Sequence, residues 1–576
     1  MGEEVGKLGE KAVGKMNPDK ETAGEEQKDK PEEPSAVQER LGWQLAWRDD
    51  AKVAQALYAG EEVEEIHELS EAGLLDEFFV FLEEVGMMAL FERMELPAVQ
   101  RVLVPTVQFV LLYLLKVLFG SQSMNQLPRA LFSNLALMEL IGFNARQVEA
   151  GLTKRGDASR KRRKKQGPLS PQCLADNISK LSREQMEELL NQMVQRLAAG
   201  GLLDAERIAA LDGSKLPTPP TYEGCGKIKQ TRSVKIKGQK ERATQEYYVY
   251  GWKVLVLIDV QTRLPLAMKV VLIQEYEGRW LVPLLEQAQQ NLGTRGRIST
   301  IVVDRGYLDG ADLWQVHQQG VRFVIVGKTN MAVTQDAQAL AKGERAKVRE
   351  QVVRHGHGKS ATEERVRTEL VSIEGLTTYD SYGDREQTQY AHRREYEGQP
   401  INAVVVRRWN NRVPATDGTV YLTNAPVSDP LVIFDTYDWR SVIENGIFKE
   451  DKHPWQLGHF PKKTEAAVVV HCHFTLLVMA LCTAFRLFQA QSALTPTVQT
   501  TIQPSLTTAL LAGEGTARWR LRLKEENRDK VLVFLADAYG IFHLAELLVL
   551  MGRGLRRFPS HLGDPQAILQ RYGISP

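Results

Sequence analysis

KVLVLIDVQTRLPLAMKVVL, residues 253–272, is two runs of apolar and β-branched residues separated by the polar linker QTR. Runs of this length around a short polar turn read as the two strands of an antiparallel hairpin. Working outward, IAALD at 208–212 precedes the pair, and TIVVD at 300–304 and RFVIVG at 322–327 follow it. Between the later runs, GRWLVPLLEQAQQNL and DGADLWQVHQQG repeat apolar residues every three and four positions, so they connect strands as helices. A hairpin followed by strand–helix–strand units predicts an α/β core with a mixed sheet.

Two of the predicted strands end on an acid. Asp212 closes IAALD and Asp304 closes TIVVD, so both carboxylates should leave neighbouring strands at one sheet end, where α/β sheets place their chemistry. Either one alone could simply cap a turn or a helix. A third acid completes the set. In YDWRSVIENGIFKEDK, 437–452, Tyr437, Arg440 and Glu444 are spaced by three and four and share one helical face. Read in isolation, Arg440 and Glu444 are an ordinary i,i+4 ion pair worth ~0.3 to 0.5 kcal/mol. Asp259, Asp309, Asp312 and Asp435 lie near these motifs but are read as turn or cap residues outside the site.

Four segments together resemble the DDE transposases of bacterial insertion sequences, especially the insertion-sequence-four type. They are LDGSK around Asp212, VVDRGYLDG around Asp304, YLTNAP at 421–426, and the Tyr-x2-Arg-x3-Glu arrangement. The likeness spans roughly residues 110–484. It implies a ribonuclease H-like catalytic core with a β-rich insertion before the glutamate, performing cut-and-paste DNA transposition by metal-dependent cleavage and strand transfer at transposon ends. It also implies that Asp212, Asp304 and Glu444 are the catalytic metal ligands. Carboxylates suit Mg2+, with Mn2+ able to substitute, and two ions about 3.5 to 4 Å apart fit such a reaction. The implied partners are double-stranded DNA, as terminal inverted repeats and target, and a second copy of the chain.

By the same resemblance, Arg440 contacts phosphate near the break with Tyr437 supporting it, and Arg305 joins the DNA contacts. The family's lysine seven residues after the glutamate falls on Asp451, leaving Lys452 and Lys449 as competing substitutes. Some relatives hold a flipped base against a Trp that corresponds here to Thr419. Either Tyr421 or Trp409 substitutes or no comparable flip occurs, and strand alternation puts Tyr421 on the same face as Thr419, which makes it the better substitute. The rival readings are a transposase-derived DNA-binding protein and a metal-dependent nuclease without strand transfer.

Elsewhere the pattern is coarser. Residues 1–36 are rich in Glu, Lys, Gly and Pro and are expected to be a disordered tail. Residues 37–205 read as a helical DNA-binding region, 206–329 as the first part of the core, 330–426 as the β-rich insertion, 427–492 as the second part, and 493–576 as a helical C-terminal region suited to dimerisation. The 73 basic and 72 acidic residues nearly cancel, so only local clusters inform on partners. Two stand out as expected DNA contacts: Lys161, Arg162, Arg163, Lys164 and Lys165, and a loop before the second strand that includes Lys235 and Lys237. VLVPTVQFVLLYLLKVLFG, 102–120, nears membrane-span length but contains Pro105, Gln108 and Lys116, so it is read as a core helix. Four scattered cysteines and no apolar leader suit a reducing cytoplasm, and the resemblance implies a bacterial one, near the nucleoid, with no membrane partner. His471 and His473, two apart on a helix, point about 200° apart and do not form a metal pair.

Overall fold

The computed structural model describes residues 47–63, 65–68, 75–97, 104–143, 147–148, 167–235, 242–355, 362–379, 396–409, 418–448, 452, 455–493, 530–535, 538–552 and 564–575. The expected tail, the basic run 161–165, Lys237 and Lys449 lie outside these residues.

The first part of the chain is mainly helical, with two short strands, β1 (Trp47–Arg48) and β2 (Glu65–Glu68), near its start. Asp49 starts α1 (Asp50–Ala59) by accepting the Lys52 N–H, and Gly60, at φ 80°, ends it. Next come α2 (Leu75–Glu84), α3 (Thr106–Leu118) and α4 (Arg183–Ala199), the last capped by Ser182. From Val107 to Leu118 every residue of α3 is buried, Gln108 and Lys116 included, as the core-helix reading expects. Gln108 donates to the Gly142 carbonyl at 2.8 Å, which offsets the burial of its amide nitrogen.

The strands that follow are β3 (Ala205–Thr218), β4 (Gly226–Lys235), β5 (Arg242–Asp259), β6 (Pro265–Leu272), β7 (Gly296–Val303) and β8 (Arg322–Val326). Helix α5 (Leu281–Leu292) joins β6 to β7, and α6 (Gly310–Gln318) joins β7 to β8. The expected hairpin is β5–β6, antiparallel, with the backbone N–H and hydroxyl of Thr262 both donating to Asp259. β3 pairs antiparallel with β5 and parallel with β7, and β7 pairs parallel with β8. The order β6-β5-β3-β7-β8, three antiparallel strands and then two parallel ones, is the ribonuclease H-like mixed sheet.

Residues 330–426 are rich in strands, as expected, and those strands extend the main sheet. β9 (Lys347–His355), β10 (Thr362–Leu376), β11 (Ile401–Trp409) and β12 (Thr419–Thr423) are joined antiparallel, and β12 pairs with β8. β8 would otherwise be an edge, and an unpaired edge exposes a row of backbone donors and acceptors. Helix α7 (Pro430–Asp438) then returns to the core, and α8 (Glu465–Ala493) packs against α3 and α4. Between Glu465 and Phe488, α8 is apolar and long enough to cross a membrane, yet its most apolar window is wholly buried in protein.

The C-terminal region has helices, as expected, at Leu544–Leu550 and Pro565–Arg571, but it also holds two strands that the sequence did not announce. Before α9 (Leu544–Leu550) it forms a hairpin, β13 (Lys530–Leu535) and β14 (Ala538–His543). Both strands are too short for a helical repeat to declare itself, and the apolar run VLVFL is equally a buried strand. They pair with β1 and β2 in a separate sheet ordered β1-β14-β13-β2.

Candidate active site

The apolar residues of β3 decide where Asp212 sits. Ala209, Ala210 and Leu211 are fully buried between β5 and β7, and the parallel register with β7 ends at Leu211 opposite Val303. The next residue on each strand is an aspartate, so Asp212 and Asp304 stand on adjacent parallel strands at the same level. β3 does not stop at Asp212, as the sequence suggested, but continues to Thr218 along β5. The pairing with β7, rather than the strand, is what ends there.

Each aspartate is tied by one oxygen. Asp212 Oδ1 accepts the Gly213 N–H at 2.7 Å, and Asp304 Oδ1 accepts the Gly306 N–H at 2.7 Å, capping the turn Arg305–Tyr307. Asp212 is 8% exposed. Burial pushes its carboxyl up to about 7, repulsion from Asp304 and Glu444 adds to this, and the Gly213 N–H and Arg440 oppose it. Asp304 is raised by burial and by Glu277, against the Gly306 N–H, Arg440 and Arg305.

Glu444 arrives from the other side. The helical path of α7 runs on through Arg440–Val442 into a π-helical turn, Ile443–Phe448, a rare geometry frequent at functional sites. Arg440 Nη1 donates to Glu444 Oε1 at 2.7 Å and lies 3.5 Å from Asp212 Oδ2. The expected i,i+4 pair is therefore present, but it also reaches the first aspartate. Tyr437 lies beneath, its ring centre 5.9 Å from the Arg440 guanidinium. One cation thus joins two of the three acids and acts electrostatically on the third.

Three carboxylates of this kind supply the hard oxygen donors that a divalent ion prefers. Among the described residues no three Asp, Glu, His or Cys side chains form a ready chelate. Arg440 stands between Glu444 and Asp212 and supplies the positive charge there. The donor set fits a divalent metal, and the buried Asp212 and the half-buried Asp304, which repel one another, are the groups that a cation would relieve.

Other expected residues fare differently. Arg305 is exposed beside Asp304, and Lys452 is exposed past the π-helical turn. Tyr421 is 8% exposed, with its ring centre 4.8 Å from that of Tyr437 and 6.2 Å from that of Phe434. It props up Tyr437 and offers no open face for a flipped base, which corrects the stacking role expected of it. The segment expected to be a loop with Lys235 is strand β4, and Lys235 is its last residue. Asp259 is fully buried in its turn, and Asp309 caps α6, as read. His471 is held by the Tyr113 hydroxyl at 2.8 Å and the Gln456 carbonyl at 2.9 Å, and burial pushes it well below its usual value.

Sequence reading missed Glu277 and Lys253. Lys253 Nζ, buried in β5, donates to Glu277 Oε1 at 2.7 Å and to the Glu275 carbonyl at 2.6 Å. Glu277 in turn lies over Gly213, where an added Cβ would come within 2.9 Å of Glu277 Oε2. Tyr276 donates to the Gly306 carbonyl at 3.0 Å. The turn 275–277 therefore touches the residue after Asp212 and the turn that Asp304 caps. A lysine at the head of the apolar run KVLVLIDV was the available signal, since a buried ammonium demands a partner.

The family model of the transposase DDE domain matches residues 204–481, from the start of β3 into α8. No curated protein matches the chain in sequence. A cryo-EM structure of the piggyBac transposase synaptic complex with hairpin DNA is similar at TM-score 0.33 and 8% identity, over 92% of this chain and 86% of that one. A similarity that low supports no argument about mechanism.

Proposed function

We propose that this chain is a DDE transposase that cleaves DNA at transposon ends and joins them to a target, in a cut-and-paste reaction. The observation that carries this reading is the convergence of Asp212, Asp304 and Glu444 about Arg440, inside the segment that matches the transposase DDE domain. Asp212, Asp304 and Glu444 would hold Mg2+ or Mn2+, two ions in the reading taken from the motifs. Bound there, such ions supply the charge that activates a water or DNA 3′-hydroxyl and stabilises the leaving oxygen.

The chain's own residues do the rest. Backbone N–H groups fix one oxygen of each aspartate, so the two carboxylates keep their orientation without help from substrate. Arg440, braced by Tyr437, offers a guanidinium suited to a phosphate oxygen near the break. The motif resemblance further favours the bacterial insertion-sequence-four type, terminal inverted repeats as substrate, a homodimer on DNA, and the cytoplasm as its location. Lys161, Arg162, Arg163, Lys164 and Lys165 would add phosphate contacts, with Lys449 or Lys452 near the site.

The test is Mg2+-dependent cleavage of end-containing duplex by Asp212→Asn, Asp304→Asn and Glu444→Gln. Each should lose cleavage by more than about 100-fold while duplex binding stays near wild type, because a metal ligand is removed with little change of shape. Retained cleavage in any one removes that residue from the site. Cleavage without joining in the wild type would instead mark a nuclease.

A further inference from the structure

β4 and the first half of β5 leave the main sheet as a pair. β3 pairs with β5 only from Tyr250 onward and β6 only from Trp252 onward, whereas β4 pairs with residues 242–251. Among the described residues, the ribbon therefore has no third strand along most of its length. Its departure is set at Gly251, at φ 138°, where a Cβ would lie 2.0 Å from the Leu216 carbonyl oxygen. Only glycine allows the strand to turn away so close to β3.

The sequence of this excursion, 226–250, holds seven basic and two acidic residues in a chain whose net charge is +1. The register sets Lys227, Lys229 and Thr231 opposite Tyr250, Tyr248 and Glu246 on one face. Tyr248 is 58% exposed, with the Lys227 ammonium 5.8 Å from its ring centre. Lys229 pairs with Glu246 at 2.8 Å, so part of its charge is already answered. On the other face Arg232 bonds to Gln245 and lies 5.4 Å from the Tyr247 ring centre. A bare, basic, tyrosine-bearing ribbon has no apolar layer to cover and suits a polyanion.

We propose that this ribbon is an arm that binds duplex DNA beside the cleaved bond, with the Lys227, Lys229 and Tyr248 face against the DNA; the proposal rests on the transposase reading for the identity of the polyanion. A two-stranded ribbon fits the B-DNA major groove, about 12 Å wide. Tyr248 is eight residues along β5 from Val256, the partner of Asp212. At about 3.4 Å per residue that is at most about 27 Å. With one base pair per ~3.4 Å, the arm touches DNA within about eight base pairs of the break.

The experiment compares the full-length wild type with Lys227→Gln/Lys229→Gln and with Tyr248→Ala, using a fluorescein-labelled 40-base-pair duplex over a salt series. Losing two phosphate contacts should lower the salt slope by about 1.8, at ~0.9 per contact. Tyr248→Ala should weaken binding several-fold with the slope unchanged. Hydroxyl-radical footprints of both variants should lose protection within about eight base pairs of the cut. An unaltered slope and footprint in a double variant with wild-type circular dichroism overturns the arm, and if Asp212→Asn still abolishes cleavage, the transposase reading survives it. A wild-type chain that binds no duplex overturns both.

Discussion

Lys116 carries an ammonium group into the interior of α3, 1% exposed and 5.4 Å from the Tyr113 ring centre. Its nitrogen has no hydrogen-bond partner among the described residues. Burial disfavours the charged form and lowers its pKa from 10.5 to about 8. Below about pH 8 both folded and unfolded chains are protonated, and the folded one bears the full penalty. As pH rises from 8 to 10.5 the folded lysine loses its proton first, so the penalty fades and stability increases relative to a variant without the group. Lys116→Met should therefore stabilise the protein at pH 7, by up to about 3 kcal/mol for a shift of this size. The gain should shrink steadily between pH 8 and 10.5. Chemical denaturation across that range checks it, and a gain independent of pH would assign the effect to packing instead.

At the scale of elements, the site depends on two devices that hold strands in place. The turn 275–277 is one: Lys253 anchors it, Glu277 lies over Gly213, and Tyr276 bonds to Gly306. Lys253→Met would free Glu277 and loosen the support behind both aspartates. Partners of this outer kind typically change activity or metal affinity by about 10- to 100-fold. A cleavage rate reduced to that degree at saturating Mg2+, with duplex binding intact, is the expected result, and an unchanged rate would make the turn merely structural. Gly251 is the second device. Gly251→Ala forces a Cβ into the Leu216 carbonyl at an unfavourable φ, and should destabilise the protein by roughly 1 to 3 kcal/mol. A melting temperature equal to the wild type's would show that the ribbon base can relax.

For the molecule as a whole, the strands near its two ends form one sheet. Among the described residues, β1 and β2 find their sheet partners in β14 and β13, and Val53, Ala54, Val533, Phe542 and Leu550 share a core apart from the main sheet. Phe542 is fully buried there. Phe542→Ala should remove about 3 to 5 kcal/mol from this unit. Amide exchange should accelerate in β1, β2, β13 and β14 while β3 and β7 keep their protection. Equal acceleration everywhere would mean that the two sheets unfold as one. This arrangement also explains why the C-terminal stretch resisted reading by itself: half of its sheet lies some 460 residues upstream, between β2 and β13.

The sequence by itself determined the strands of the core, the β5–β6 hairpin and the connecting helices, and it singled out the three acids with Tyr437 and Arg440 as candidates. Those follow from local periodicity and from spacing along a single element, which are written in neighbouring residues. Tertiary structure alone decided that the inserted strands prolong the sheet from β8, that the basic segment is a ribbon, and that Tyr421 is buried against Tyr437. It also decided that Lys253 and Glu277 meet behind Gly213 and that Arg440 spans from Glu444 to Asp212. The physical reason is common to all of these. Strand pairing and side-chain burial are settled by partners distant in sequence, and a carboxylate's neighbours across a sheet leave no mark on the residues beside it in the chain.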